Sequence, residues 1–217
     1  MKTILCIDFD GTITNTDVLD ELIIYVKGKL FLIEWINNLI SKKISYPEYL
    51  RMVCEVLDIG AIEFGSVENF VKTIVKTHNI TIDPMFEQLQ TLCDKHNIPL
   101  YIISGNLKKI IQLFVNHPPE NILAHDYFIV ENKIIECYDQ SIDPKSAYIN
   151  TYFSNDKYNV VYVGEGTSDI SVVNNCDVYR MYAKQNYPLA KRCDEKNQAY
   201  TPFENLSDVV DKIRCFL

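Results

Sequence analysis

Basic residues are the minority charge in this 217-residue chain, with 21 Lys and Arg against 29 Asp and Glu, a formal net charge of −8 and a pI ≈ 5.0. No basic stripe is available to neutralise a run of phosphates, which argues against a nucleic-acid surface. A small anionic ligand stays open, because a few local lysines decide that. No apolar run approaches the roughly 18 residues that a membrane-spanning helix needs, so no membrane partner is expected. The seven cysteines are scattered and include no C-x-x-C pair, which disfavours a zinc centre. Cys6 and Cys54 sit inside apolar runs and read as small buried hydrophobes. With no secretory leader pattern at the N-terminus, a reducing, cytoplasmic setting is expected. Internal repeats and low-complexity segments are lacking too.

What is present is an ordinary globular composition, 47% hydrophobic and 23% charged, with length enough for one sizeable core and a small appended domain. The apolar run at 3–7 reads as a buried strand. It delivers Asp8-Phe9-Asp10-Gly11-Thr12-Ile13-Thr14 to its C-terminal end, where open α/β sheets bind ligands. A carboxylate there can hold Mg²⁺ or attack phosphorus. An acidic turn with no chemistry is the plain alternative.

Residues 17 to about 79 look helical throughout. Val18, Leu19, Leu22, Ile23 and Val26 repeat at helical spacing, as do Leu32, Trp35, Ile36, Leu39 and Ile40. Ser45 and Ser66 are placed to open two further helices. From residue 83 the pattern alternates: a helix at 84–95, a strand at 99–103, a helix at 107–115, a hairpin at 127–137 about Glu131-Asn132, a helix at 146–153, a strand at 159–163, a short helix from 170, a strand at 178–181 and a closing helix at 203–216. Strands alternating with helices predict an α/β fold, a Rossmann-like, mostly parallel sheet with helices on both faces.

Four polar clusters fall just past strands or just ahead of helices: Asp8 with Asp10, Ser104-Gly105, Lys145 in Asp143-Pro144-Lys145, and Glu165 with Asp169. Parallel strands would bring them to one crevice, acids for a metal and a hydroxyl and a cation for a phosphate. Each has a plainer reading: Ser104 or Asp169 as a helix N-cap, Lys145 as a solvated surface lysine.

Together the clusters resemble the four ordered motifs of the haloacid-dehalogenase-superfamily phosphatases, over essentially the whole chain. Asp8-Phe-Asp-Gly-Thr is similar to the first motif, Ser104 to the second, Lys145 to the third and Gly164-Glu165-x-x-x-Asp169 to the fourth. The resemblance implies a core at 1–14 and 84–217 with a helical cap inserted at 15–83. It implies a Mg²⁺-dependent phosphomonoesterase acting on a small phosphorylated metabolite through an aspartyl-phosphate. Asp8 would be the nucleophile and Asp10 the general acid. Thr12, Ser104, Gly105 and Lys145 would bind the phosphoryl group, and Asp8, Asp10, Glu165 and Asp169 would hold the metal. The phosphoserine phosphatase-like branch, which Asp17-Val-Leu-Asp20-Glu21 resembles, would place Asp17 and Glu21 against the substrate. Arg51 would meet a substrate carboxylate or lie on the surface. The methionine-salvage phosphatase branch is similar in its Asp-Gly-Thr-Ile-Thr-Asn opening. Glu165 stands where the family usually has Asp, which keeps a weakened or inactive ligand-binding homologue as the alternative. Monomer and homodimer both stay open.

Overall fold

In the computed structural model, which describes residues 1–140, 144–153 and 157–215, strand β1 (Lys2–Ile7) lies in the middle of a seven-stranded sheet. It pairs in parallel with β2 (Leu100–Leu107) on one side and with β5 (Tyr158–Gly164) on the other. Beyond β2 come β3 (Ile122–Val130) and β4 (Lys133–Cys137), and beyond β5 come β6 (Arg180–Lys184) and β7 (Thr201–Phe203). Only β4 runs antiparallel. The expected mostly parallel α/β sheet is therefore present.

The central position of β1 explains its unbroken apolar run, because both faces are covered. Leu5 and Ile7 enter one core with helices α5 (Met85–Lys95), α6 (Lys108–Ile111) and α10 (Leu206–Arg214). Ile4 and Cys6 enter the other, with α7 (Lys145–Tyr152), α8 (Ile170–Asn175) and α9 (Pro188–Lys196). Burying each such aliphatic side chain contributes roughly 1.5–3 kcal/mol. Cys6 and Cys54 are buried as expected. No helix among the described residues is long and apolar enough to cross a membrane.

Four helices follow the first turn: α1 (Val18–Lys27), α2 (Lys29–Ile40), α3 (Tyr46–Phe64) and α4 (Val67–Thr77). Their starts are locally encoded. Ser45 and Glu48 form a reciprocal capping box with Pro47 in the first turn, and Ser66 caps α4 through Asn69 N. Two neighbouring segments join this block to the sheet. Thr14 bridges Ile82, Asn15 Oδ1 accepts from Thr81 N at 2.9 Å, and Asp83 N donates to Ile13 O at 2.8 Å.

Several boundaries move. Strand β2 continues through Ser104-Gly105-Asn106 to Leu107, with an irregular register after Ile103. The helix expected at 107–115 contracts to four residues, after which Leu113 N and Phe114 N bond the carbonyls only three residues back, a tightened end rather than a continued helix. The strand expected at 178–181 lies at Arg180–Lys184, where pairing with β5 overrides local preference. Phe203 belongs to β7, the last helix starts only after Asn205, and Phe216 lies outside the described residues, as does Asp143. Helix α9 and strand β7 were not anticipated. Pro188 at the first helical position and the left-handed Asn197 at the end are the signals for α9. The hairpin is as expected, with Glu131 and Asn132 both at positive φ.

Candidate active site

The strand ladder carries Asp8 into place, since its N–H still donates to Val163 O at 2.9 Å. The chain then turns back on itself. Ile13 N and Thr14 N both donate to Phe9 O, and Gly11 takes φ +71°, a left-handed conformation that favours glycine. The turn separates the environments of Asp8 and Asp10.

Asp8 Oδ1 faces Lys145 Nζ at 2.5 Å, and the same ammonium reaches Asp169 Oδ1 at 2.6 Å. The Lys145 side chain is 4% exposed, which rules out the surface-lysine reading. Asp8 Oδ2 has a looser partner, Thr12 Oγ1 at 3.5 Å. Asp169 Oδ1 also accepts from Tyr162 OH, at 2.6 Å, while Oδ2 accepts from Glu165 N and Gly166 N, both at 2.9 Å. Both oxygens of Asp169 thus have protein donors as partners. Asp169 orients Lys145 and folds the 164–166 loop. Its side chain does not cap α8.

Asp10 is held from the other side. Asn106 Nδ2 donates to both its oxygens, at 3.1 and 3.0 Å, Val18 N donates to Oδ1 at 2.9 Å, and Ser104 Oγ lies 3.4 Å from Oδ2. Ser104 sits within β2 and is no helix cap. Asn106 escaped the sequence reading. Its signal was a buried amide directly after Ser104-Gly105, where the strand register breaks.

Burial pushes the Asp8 carboxyl up to about 7, with Asp169 adding to the rise and Lys145 opposing it. Burial and then Asp17 raise Asp10 well above the usual carboxylate range, against the hydrogen bonds from Val18 and Asn106. Burial and then Asp169 push Glu165 up to about 7, opposed by Lys184 and Lys145. Burial works to lower Lys145, but Asp169 and Asp8 outweigh it, so it is raised and stays cationic. These are buried carboxylates with too little positive charge among them.

That deficit suits a hard cation. Among the described residues no three His, Cys, Asp or Glu side chains gather as a ligand set. Asp8, Glu165 and Asp169 offer carboxylate oxygens and Asp10 a main-chain oxygen, and Mg²⁺ commonly takes one or two carboxylates and completes its shell with water and phosphate oxygens. The donor set fits.

The helical block overlooks this centre through α3. Tyr46 OH donates to Gly105 O at 2.8 Å, and its ring lies against Tyr49, His125 and Tyr138. The other expected substrate contacts have protein partners. Asp17 caps α1 through Asp20 N at 3.0 Å while lying close enough to Asp10 to raise it. Glu21 pairs with His78 at 2.6 Å, joining α1 to the end of α4. Arg51, 60% exposed, pairs with Glu136 of β4 at 3.2 Å, which is the surface reading.

No protein-family model matches the chain. The polyol phosphate phosphatase of Saccharomyces cerevisiae is 23% identical over 235 residues, covering 99% of this chain and 93% of its own. A 2-hydroxy-3-keto-5-methylthiopentenyl-1-phosphate phosphatase of Bacillus cereus is 22% identical over 222 residues, with 97% and 95% covered. A solved phosphoserine phosphohydrolase-like protein from Francisella tularensis superposes with a TM-score of 0.69 at 19% identity, covering 98% of this chain and all of that one. The fold is thus that of the phosphoserine phosphatase-like structures. Over nearly its whole length the chain is similar to proteins named as phosphatases, as its four motifs implied.

Proposed function

We propose that this protein is a Mg²⁺-dependent phosphomonoesterase of small phosphorylated metabolites, working through an aspartyl-phosphate on Asp8. The observation that carries the reading is the division between two carboxylates only two residues apart. Asp8 is fixed by a buried lysine, whereas Asp10 is wrapped by Asn106, Val18 and Ser104 and pushed toward its protonated form. Such a pair suits nucleophile and acid.

Asp8 Oδ2, the less restrained oxygen, attacks phosphorus while the bond to the leaving oxygen breaks, and Asp10 gives that oxygen its proton. Asp10, now a carboxylate, takes a proton from the incoming water. The water oxygen bonds to phosphorus, the Asp8–phosphorus bond breaks, and inorganic phosphate leaves. Lys145, Thr12 and Ser104 hold the phosphoryl oxygens, with Gly105 beside them. Asp8, the Asp10 carbonyl, Glu165 and Asp169 would hold Mg²⁺, which would offset the repulsion between Asp8 and the phosphate dianion. Residues 15–83 serve as the cap over a core formed by 1–14 and 84–217, and it swings on the paired segments near Thr14 and Ile82. The full-length similarity to a polyol phosphate phosphatase and a methylthiopentenyl phosphate phosphatase supports a small phosphorylated metabolite as substrate.

Phosphate release from a panel of polyol phosphates, phosphoserine, phosphoethanolamine, phosphocholine, sugar phosphates and p-nitrophenyl phosphate, with Mg²⁺ and with EDTA, tests this. Mg²⁺-dependent release that Asp8→Asn abolishes is expected. No release from any ester would overturn the reading.

A further inference from the structure

Glu165 replaces an expected aspartate with an arm one methylene longer, and its surroundings accommodate the difference. A methyl group placed on Gly11 would come within 2.6 Å of Glu165 Oε1 and 3.0 Å of its carboxyl carbon. The longer arm therefore lies directly against the turn between Asp10 and Thr12, at the one position with no side chain. On the same turn, Lys184 Nζ donates to Gly11 O at 2.7 Å. Lys184 ends β6, one strand beyond the strand that leads to Glu165. Its ammonium also lies 5.1 Å from the centre of the Tyr187 ring. Two residues further on, Leu189 N donates to Glu165 O at 3.0 Å. The β6–α9 corner thus grips Glu165 by its main chain and, through Lys184, pins the turn that the Glu165 side chain lies against.

We propose that Lys184 is a positioning residue for Glu165: by pinning the Gly11 carbonyl and opposing the carboxylate's charge, it holds the longer arm where a metal ligand is needed. The inference rests on the Mg²⁺ reading given above. Of the two lysines that favour a charged Glu165, Lys184 acts more strongly than Lys145. With Lys184 neutral, the carboxylate loses the charge that draws it to the turn, and the turn loses the bond that fixes its height. Glu165, Gly11 and Lys184 form one unit.

Calorimetric titration of Mg²⁺ into the full chain without substrate tests this, with thermal melts as a control on folding. Lys184→Met is expected to weaken Mg²⁺ binding about tenfold or more. Lys184→Arg is expected to restore most of it, since a cavity of about 380 Å³ beside Lys184 leaves room for a guanidinium. In a Glu165→Asp background, Lys184→Met is expected to have much less effect, because the shorter arm leans less on the turn. Equal losses in both backgrounds would make Lys184 a support of the loop alone and overturn the inference. So would unchanged binding in Lys184→Met, and that result leaves the phosphatase reading standing. A wild type that neither binds Mg²⁺ nor releases phosphate removes both.

Discussion

The helical block and the sheet core solve the placement of polar groups in opposite ways. In the block, the polar side chains that open helices act locally: Asp17, Ser45 and Ser66 each accept from a backbone N–H three residues on. In the core, they act across the sequence. Lys145 joins Asp8, 137 positions away, and Asn106 joins Asp10, 96 positions away. Local capping defines helices but leaves their orientation to packing. Long-range pairing of buried charges fixes relative positions and is costly to break. Long-range pairing suits the catalytic centre proposed for the core, and locally capped helices suit the movable cover proposed for the block.

The sharpest break of this contrast is Asp8→Asn, which removes the proposed nucleophile and is expected to lower phosphate release by more than about 10⁴-fold, read by steady-state assay with a melting curve as the control on folding. Lys145→Met leaves Asp8 and Asp169 buried without their cation and is expected to cost about 3–5 kcal/mol in urea unfolding. Asn106→Ala frees the Asp10 carboxyl and is expected to reduce kcat about 10- to 100-fold with KM little changed, the signature of a misplaced acid. In the block, Ser45→Ala removes one half of a capping box and is expected to cost about 1 kcal/mol with the kinetic constants unaltered.

The smallest effect concerns pH. Burial, then Asp17 and Glu21, push Asp20 up to about 8. The native state therefore keeps a proton that the unfolded chain releases near its ordinary carboxylate value of 3.8. Stability contributed by this group falls as pH rises from that value toward 8. Melting temperatures across this range are expected to decline less steeply in Asp20→Asn than in wild type. A parallel decline in both would place the pH sensitivity elsewhere.

Much of the core was legible because the motifs fall where the apolar runs end. Asp8, Ser104 and Glu165 each follow or finish a strand, and Lys145 opens a helix, so the periodicity alone predicts that they meet. The supporting residues were not legible in the same way. Asn106 matters because β2 runs on past Ile103 with a broken register. Tyr162 is one apolar residue among several until its hydroxyl meets Asp169. Glu21 and Arg51 looked free for a substrate because nothing in the sequence reveals His78 or Glu136 across from them.

The sequence by itself determined the α/β alternation, the helical block after the first strand and the four polar clusters. These depend on local periodicity, turn residues and caps, which neighbours along the chain dictate. Only the tertiary structure decided that Asp169 organises the 164–166 loop, that Asn106 holds Asp10, and that Lys184 bonds the turn against which Glu165 lies. Those roles depend on distances between strands far apart in sequence, which packing and the sheet order set.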